Sequence, residues 1–329
     1  MKKYFLLLIT LSFLLISCND FNKNKNSSAK TKVQTTVVPP QFDPDSAFYF
    51  VKAQTDFGPR VPNTEAHKKC ALFLQNQLEK YCTQVTVQRF TATTFDGVKL
   101  NGKNIIGSFF PEKQRRILLA SHWDSRPFAD YDPDPNNRDK PIDGANDGAS
   151  GVGVLLEIAR QLKENNPEIG VDIIFFDAED WGTQNSRNET GDWWCLGSQH
   201  WAKNPHTPDY KADFGILLDM VGAQEAKFYQ EGFSMQYASR IVAKIWRKAY
   251  QLGYRNYFLN VGANPITDDH YYVNKIAKIP MVNIIHQDKT SGTGFAPFWH
   301  TLQDNINIID KQTLYVVGTT VLAVIYEEK

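Results

Sequence analysis

Apolar residues in this chain form short unbroken runs, and between the runs they recur every three or four positions. The runs at 117–120, 173–176, 214–218 and 279–285 show no polar alternation. Such runs are typical of strands that helices cover on both faces. Because the strand-like runs alternate with helical stretches, the pattern predicts a three-layer α/β/α fold with a mostly parallel, twisted central sheet.

Helical spacing predicts helices over residues 43–55, from an N-cap at Asn63 to Tyr81, after the glycine-rich segment 144–151, from Ser234 and from Asp310. Residues 84–93 alternate between apolar and polar side chains, which predicts a half-exposed strand, and residues 104–109 predict another. Between the run at 117–120 and the glycine-rich segment lies a loop, 126–143, dense in Asp, Pro and Asn. A loop of that length in a compact domain is usually functional.

The N-terminus carries a targeting pattern. Two lysines precede an apolar run at 4–16, which is too short to cross a bilayer. The sequence LISC at 15–18 resembles a bacterial lipobox, although an ordinary signal peptide is the alternative. We therefore expect a signal peptide at 1–17, a polar tether at 18–42 anchored through lipidated Cys18, and one α/β domain at 43–329. This predicts an exported, membrane-anchored lipoprotein on the periplasmic or cell-surface side.

Composition narrows the function classes. The 329 residues are 42% hydrophobic and carry 36 basic and 36 acidic side chains. Without a basic stripe, nucleic acid is not an expected partner. After Cys18 the cysteines are Cys70, Cys82 and Cys195, an odd number. Cys70 and Cys82 lie on one predicted helix about 18 Å apart, so they cannot form a disulfide.

Acidic residues and histidines recur where the predicted strands end. Parallel strands present their carboxyl ends at one edge of a sheet, and ligands bind in the crevice outside that edge. Carboxylates and imidazoles together suit zinc, whereas solvated strand-end acids are the alternative interpretation. The residues concerned are His122, Asp124, Asp147, Glu179, Asp180, Asp219 and His300. The segment 144–151 lacks the spacing of a nucleotide-binding loop.

These positions resemble the co-catalytic zinc aminopeptidase superfamily, which combines a His-x-Asp motif, an Asp before a glycine-rich helix, an acid pair, an Asp and a distal His. Within it the chain is most similar to the glutaminyl-peptide cyclotransferases (glutaminyl cyclases). Six motifs carry that likeness in order, from about residue 50 to 305. They are FGPRVP at 57–62, IFFDAE at 174–179, LGS at 196–198, LLD at 217–219 with GA at 222–223, DDH at 268–270 and WHT at 299–301.

The resemblance implies a zinc-dependent aminoacyltransferase that converts the N-terminal Gln of peptides or proteins to pyroglutamate and releases ammonia. It implies one zinc ion bound by Asp147, Asp180 and His300, with Glu179 as general acid/base. Asp219 and Asp269 would form an acid network beside Glu179, and Trp299 would line the substrate pocket. His122 and Asp124 would bind a second metal or support the first. Asp177 is expected to be a supporting residue.

Two features depart from the family pattern. Asp180 stands where Glu is commoner and is one methylene shorter, so the strand end or the metal must shift to keep an oxygen in coordination range. The insertion at 181–194 also differs from animal members, which leaves open whether Trp181, Trp193 or Trp194 faces the substrate.

Two other functions remain open on the sequence. A zinc aminopeptidase of the same superfamily would use the same ligand positions. A lipid-anchored binding protein on an inactive enzyme scaffold would be expected to have lost ligands, whereas every polar position is filled here. No obligate protein partner is evident, and the physiological substrate is not encoded in a recognisable motif.

Overall fold

A six-stranded sheet forms the centre of the molecule. The computed structural model describes residues 38–183 and 192–329. The strand order is β1-β2-β4-β3-β5-β8, with β3, β4, β5 and β8 parallel and β1 and β2 antiparallel at one side. These strands are β1 (Gln84–Thr93), β2 (Lys99–Phe109), β3 (Arg116–His122), β4 (Gly170–Phe176), β5 (Phe214–Asp219) and β8 (Met281–Ile285).

Helices cover both faces of this sheet, which confirms the predicted three-layer fold. Alternate residues of each strand face opposite layers: Ile173 and Phe175 contribute to the larger core cluster, and Ile174 and Phe176 to the smaller one. Every residue of β4 is buried, and each buried Ile or Phe side chain contributes roughly 1.5–3 kcal/mol. The helices are α1 (Pro44–Thr55), α2 (Glu65–Tyr81), α3 (Ala149–Glu164), α4 (Leu196–Lys203), α5 (Gly232–Gln251), α6 (Asp269–Tyr272) and α7 (Lys311–Ile325).

Several boundaries differ from the sequence prediction. Asn63 does not cap α2; Thr64 does, and Asn63 has φ 75° and accepts a hydrogen bond from the Asn101 backbone N–H at 2.9 Å. Similarly, α5 begins before Ser234 because Glu231 is its N-cap. A small parallel pair, β6 (Phe228–Gln230) and β7 (Phe258–Gly262), was not predicted.

The predicted tether 18–42 ends inside the fold, because Phe42 is buried and its ring packs against Gly318 of α7. The predicted signal peptide, Cys18 and most of the tether lie outside the described residues. Among the residues that the structure describes, no helix is both long enough and apolar enough to span a membrane. Cys70, Cys82 and Cys195 are free thiols, as the spacing of the first two predicted.

Candidate metal centre

A cavity of about 1020 Å³ opens at the carboxyl edge of the sheet. Strands β3, β4 and β5 run parallel and in register, so the residues that follow them meet at this edge. The cavity lining includes Asp147, Glu179, Asp180, Asp219, Asp268, Trp299 and His300. The backbone is left-handed at Ala178, Met220 and His300, all non-glycine residues that lie in or next to these segments. Such conformations cluster at functional sites, where the surrounding structure maintains them.

Asp147, Asp180 and His300 converge on one point. Their ligand atoms lie within 4.8 Å of one another, and all three residues are buried. His300 Nε2 is 3.4 Å from Asp180 Oδ1 and 3.8 Å from Asp147 Oδ2. Asp180 Oδ2 is buried without a hydrogen-bond partner among the described residues. Two carboxylates, one imidazole and an unpaired buried oxygen fit a zinc ion, which accepts nitrogen and oxygen ligands.

His122 forms a second cluster with Asp147 and Asp219. Its Nε2 is 3.0 Å from Asp147 Oδ1 and 3.2 Å from Asp219 Oδ1. Asp147 therefore belongs to both clusters. Although burial disfavours a charged imidazole, the carboxylates of Asp124, Asp147 and Asp219 raise the pKa of His122 well above its usual value. This second cluster has the donor set for another metal, as the sequence resemblance implied for His122.

Asp124 is not a member of either cluster. One of its oxygens accepts the Glu179 N–H at 3.1 Å and the other accepts the Asp180 N–H at 3.2 Å. Its Oδ1 also lies 3.5 Å from His122 Nδ1. Asp124 thus fixes the backbone after β4 and lies beside the ring of His122, next to both candidate clusters.

The helix that carries Asp147 at its start is held close to β3. Asp304 accepts the N–H groups of Asn146 and Asp147 at 2.7 and 3.0 Å. Gly148 has φ 99°, and a Cβ there would lie 2.5 Å from the Asp124 carbonyl oxygen. Only glycine permits this close approach. Burial, followed by the charge of Asp180, raises the pKa of Asp147 to about 6.

Glu179 lines the cavity and directly precedes the candidate ligand Asp180. The Cys195 thiol donates a hydrogen bond to Glu179 Oε1 at 3.1 Å. Burial raises the pKa of Glu179 well above its usual value, and the charges of Asp180, Asp268 and Asp269 raise it further. A carboxyl group with a raised proton affinity suits proton transfer near neutral pH.

The acid network was predicted from Asp219 and Asp269, and the structure brings Asp268 to the cavity instead. Asp268 lines the cavity and joins Glu179 and Cys195 in one cluster, whereas Asp269 does not belong to the lining. Both residues lie at the start of α6, where Asp268 is the N-cap with extended backbone. Burial and the charge of Asp268 raise the pKa of Asp219 to about 6. The acid next to Asp219 is therefore Asp268.

Aromatic rings enclose the metal cluster. The Trp299 ring stacks on His300 with centroids 3.6 Å apart. The centroid of the Phe295 ring lies 4.5 Å from that of Trp299. Trp193 and Trp194 line the cavity. Trp181 instead packs against Phe128 in a separate apolar cluster. Of the three tryptophans that the sequence left open, two face the cavity; residues 184–191 of the insertion lie outside the described structure.

Comparisons of the sequence and of the structure with known proteins agree with each other. The profile of peptidase family M28 matches residues 104–325. A crystal structure of Tannerella forsythia glutaminyl cyclase is 54% identical, with TM-score 0.86 over 88% of this chain and 100% of that one. A Zn-dependent exopeptidase from Parabacteroides distasonis is 52% identical, with TM-score 0.87 over 88% and 100%.

A mammalian relative is more distant. The glutaminyl-peptide cyclotransferase of Bos taurus is 25% identical over 246 residues. The aligned region covers 64% of this chain and 62% of the bovine protein.

Proposed function

The chain belongs to peptidase family M28. Within this family, we propose that it is a zinc-dependent glutaminyl-peptide cyclotransferase. Its substrates are peptides or proteins that begin with Gln, and its products are the pyroglutamyl chain and ammonia. The observation that carries the proposal is the 54% identity to the Tannerella forsythia glutaminyl cyclase, which extends over the whole of that chain. The geometry of the carboxyl edge supplies the groups that this reaction needs.

Asp147, Asp180 and His300 would hold the zinc ion. When bound, zinc acts as a Lewis acid that polarises the γ-carbonyl of the substrate and stabilises the negative charge that develops on its oxygen. The unpaired Oδ2 of Asp180 supports this assignment. Asp124 and Asp304 hold the backbone N–H groups of the two aspartate ligands, so both carboxylates are positioned before a metal arrives.

Glu179 is the proton carrier in this proposal. The α-amine nitrogen of the substrate forms a bond to its own γ-carbonyl carbon. Glu179 accepts a proton from that nitrogen and delivers it to the amide nitrogen, and the carbon–nitrogen bond to this group then breaks to release ammonia. The raised pKa of Glu179 makes its carboxylate a stronger base for the proton of the attacking amine.

The remaining residues bind and orient the substrate. Asp268 lies close to Glu179, and its charge raises the pKa of both Glu179 and Asp219, because neighbouring buried carboxylates oppose each other's ionisation. Trp299 presents an apolar wall over His300. Because the attack is intramolecular, a pocket that holds the Gln side chain folded back on its amine raises the rate by orientation alone.

A zinc aminopeptidase is the second candidate, and one observation favours it. His122, Asp147 and Asp219 form a second metal-compatible cluster that shares Asp147 with the first. Two metals that share a carboxylate are typical of hydrolytic enzymes with two-metal sites. The Parabacteroides distasonis relative is named as an exopeptidase.

One assay separates the two reactions. A Gln-initiated peptide is incubated with zinc-loaded protein, and ammonia, free Gln and the peptide product are quantified. We expect one ammonia for each pyroglutamyl peptide and no free Gln. Free Gln without ammonia would refute the cyclotransferase and support the aminopeptidase. Metal content per chain, measured on the same preparation, distinguishes one zinc from two.

Export and lipid anchoring through Cys18 are also proposed, on the sequence at 15–18. The test is labelling with a fatty-acid probe in cells that express the full chain. Wild type should be labelled and recovered with membranes, and Cys18→Ser should lose the label. Persistent labelling of Cys18→Ser would contradict the anchor.

A further inference from the structure

Arg126 is the first residue of the long loop that follows β3, and its side chain is buried although it is charged. Its side chain is only 2% exposed. Nε and Nη2 bind Asp130 in a bidentate pair at 2.8 and 2.7 Å. Nη1 binds both the carbonyl oxygen and Oδ1 of Asp180, each at 3.1 Å. The guanidinium also packs over the Trp194 ring, 5.0 Å from its centroid.

We propose that Arg126 and Asp130 are positioning residues that set the orientation of two proposed metal ligands, Asp180 and His300. This inference rests on the zinc site of the proposed function. It assigns a role to the loop 126–143 that the zinc ligands do not explain.

The contacts of Asp180 show how the orientation is fixed. Arg126 occupies Oδ1 and the backbone carbonyl of the same residue, which restricts rotation of this short side chain. Oδ2 is then the oxygen of Asp180 left without a partner among the described residues, while Oδ1 lies between Arg126 and His300 Nε2. An Asp reaches less far than a Glu, so a guanidinium that fixes its direction compensates for the missing methylene.

His300 is oriented through Asp130. Asp130 Oδ1 lies 3.3 Å from His300 Nδ1, a charge contact without the alignment of a hydrogen bond, while His300 Nε2 faces Asp180 and Asp147. A carboxylate beside the far nitrogen of a metal-binding histidine favours the tautomer that leaves the other nitrogen free for the metal. Both ligands are therefore connected to one guanidinium, directly or through Asp130.

The charge of Arg126 acts in the opposite direction, because a cation beside a zinc site repels the metal. Asp130 largely cancels that charge through its bidentate pair. The two effects make different predictions for two variants. A purely electrostatic role predicts tighter zinc binding in Arg126→Met and weaker binding in Asp130→Asn. A positioning role predicts weaker binding in both.

The experiment measures the zinc dissociation constant of the full chain by competition with a chromophoric chelator, without substrate. We expect both variants to bind zinc about 10–100-fold more weakly, the usual effect of losing an outer-shell partner. Arg116→Lys is the matched control, because Arg116 makes a similar bidentate pair with Asp172 away from the ligands, at 2.7 and 2.8 Å. Its zinc affinity should equal that of wild type.

Thermal unfolding of the metal-free variants shows whether each variant folds like the wild type. Asp130 is 33% exposed, so Asp130→Asn keeps the inference falsifiable even if Arg126→Met does not fold, whereas Arg126→Met is the variant that separates positioning from charge. Unchanged zinc affinity in Asp130→Asn, or tighter binding in Arg126→Met, would overturn the inference. A wild-type protein that binds no zinc would overturn both the inference and the proposed metal site. Weakened binding in the variants supports the inference whichever reaction the zinc-loaded protein catalyses.

Discussion

At the amino end of strand β4 the carboxylate of Asp172 is fully paired, whereas beyond the carboxyl end of the same strand Asp180 keeps one buried oxygen without a partner among the described residues. Asp172 accepts two hydrogen bonds from Arg116, at 2.7 and 2.8 Å, and one from the Tyr210 hydroxyl at 2.7 Å. Both of its oxygens therefore have a partner, although the residue is only 1% exposed.

The carboxyl end is different. Asp180 Oδ2 has no hydrogen-bond partner among the described residues, although the residue is only 1% exposed. Nearby, burial and the charge of Asp147 raise the pKa of Asp304 to about 7, although both of its oxygens accept backbone N–H groups. An unpaired buried oxygen such as Asp180 Oδ2 costs free energy in the metal-free protein.

The difference distinguishes a buried acid that is paired within the fold from one that keeps an unpaired oxygen. A buried acid that stabilises the fold has its partners in the chain, as Asp172 does. An acid that lacks them either lowers stability or has a partner that arrives from solution, such as a metal or a substrate. Substitutions at the amino end should therefore lower stability, whereas substitutions at the carboxyl end should change metal binding or turnover.

The largest effect is expected from Glu179 and Asp180, at the carboxyl end. Glu179→Gln should keep wild-type zinc content and lose about 10²–10⁴-fold in kcat, because it removes the proton carrier. Asp180→Ala should lose zinc, measured as metal per chain after dialysis. Asp172→Asn is the control and should retain both zinc and turnover. If Glu179→Gln and Asp180→Ala both kept activity, the functional assignment of this end would be wrong.

At the amino end of β4, removal of the partner of Asp172 should lower the stability of the fold without changing zinc affinity or turnover. Arg116→Met leaves the buried Asp172 carboxylate without its guanidinium, which should cost about 3 kcal/mol of unfolding free energy. Urea unfolding measures that loss. Zinc affinity and kcat of the folded protein should match wild type. A drop in kcat with unchanged stability would contradict the division between the two ends.

Glu231 extends the comparison, because it is a fully paired acid elsewhere in the fold. It accepts the N–H groups of Phe233, Ser234 and Ile266 at 2.7–2.8 Å and pairs with His270 at 2.9 Å. Although burial opposes ionisation, the hydrogen bond to His270 and these backbone bonds lower its pKa to about 2. The ordinary value is about 4.3.

The stabilisation that Glu231 provides should depend on pH. The folded pKa lies below the unfolded one, so the stabilisation is complete above about pH 4.3 and is lost as pH falls towards 2. Glu231→Gln should therefore destabilise the protein by about 3 kcal/mol at pH 7, since one pKa unit corresponds to about 1.36 kcal/mol. The difference in Tm between variant and wild type should shrink from pH 5 to pH 3. A difference that stays constant over this range would show that ionised Glu231 does not contribute.

The fold was predictable because the unbroken apolar runs in the sequence form the buried strands of the sheet. Residues 84–93 were delimited as observed for β1, and the run at 214–218 lies within β5. The family resemblance from six short motifs is confirmed by the M28 match. Helix caps were less predictable: Asn63 and Thr64 are both good caps, and tertiary contacts of Asn63 with β2 decide between them.

The site was predictable where a residue directly follows a strand, and less so where a loop must fold back. Asp147, Asp180 and His300 converge as expected. In the pair Asp268-Asp269, the extended backbone of Asp268 determines which acid faces the cavity, and no periodicity encodes it. Arg126 and Cys195 reach the site only through the paths of their loops. The odd number of cysteines and the long loop 126–143 were the available signals.

The smallest effect is expected from Cys195, a carboxyl-end residue whose contribution is one weak hydrogen bond. Its thiol donates to Glu179 Oε1 at 3.1 Å, and the residue is completely buried. Cys195→Ala removes that donor, and a hydrogen bond contributes about 0.5–1.5 kcal/mol. If the bond holds the proton carrier in place, kcat should fall about 2–10-fold, since 1.36 kcal/mol corresponds to about tenfold in rate.

The controls separate this bond from packing. Cys195→Ser restores a hydroxyl donor at the same left-handed backbone position, where φ is 58°, and should recover part of the lost kcat. Cys70→Ala removes another fully buried thiol in the larger core cluster, so it should lower Tm without changing kcat. Zinc content should be unchanged in all three variants. A loss of more than about 100-fold in Cys195→Ala exceeds what one weak hydrogen bond supplies. It would mean that the thiol takes part in the chemistry, and the division of roles at this end of the strand would have to be redrawn around it.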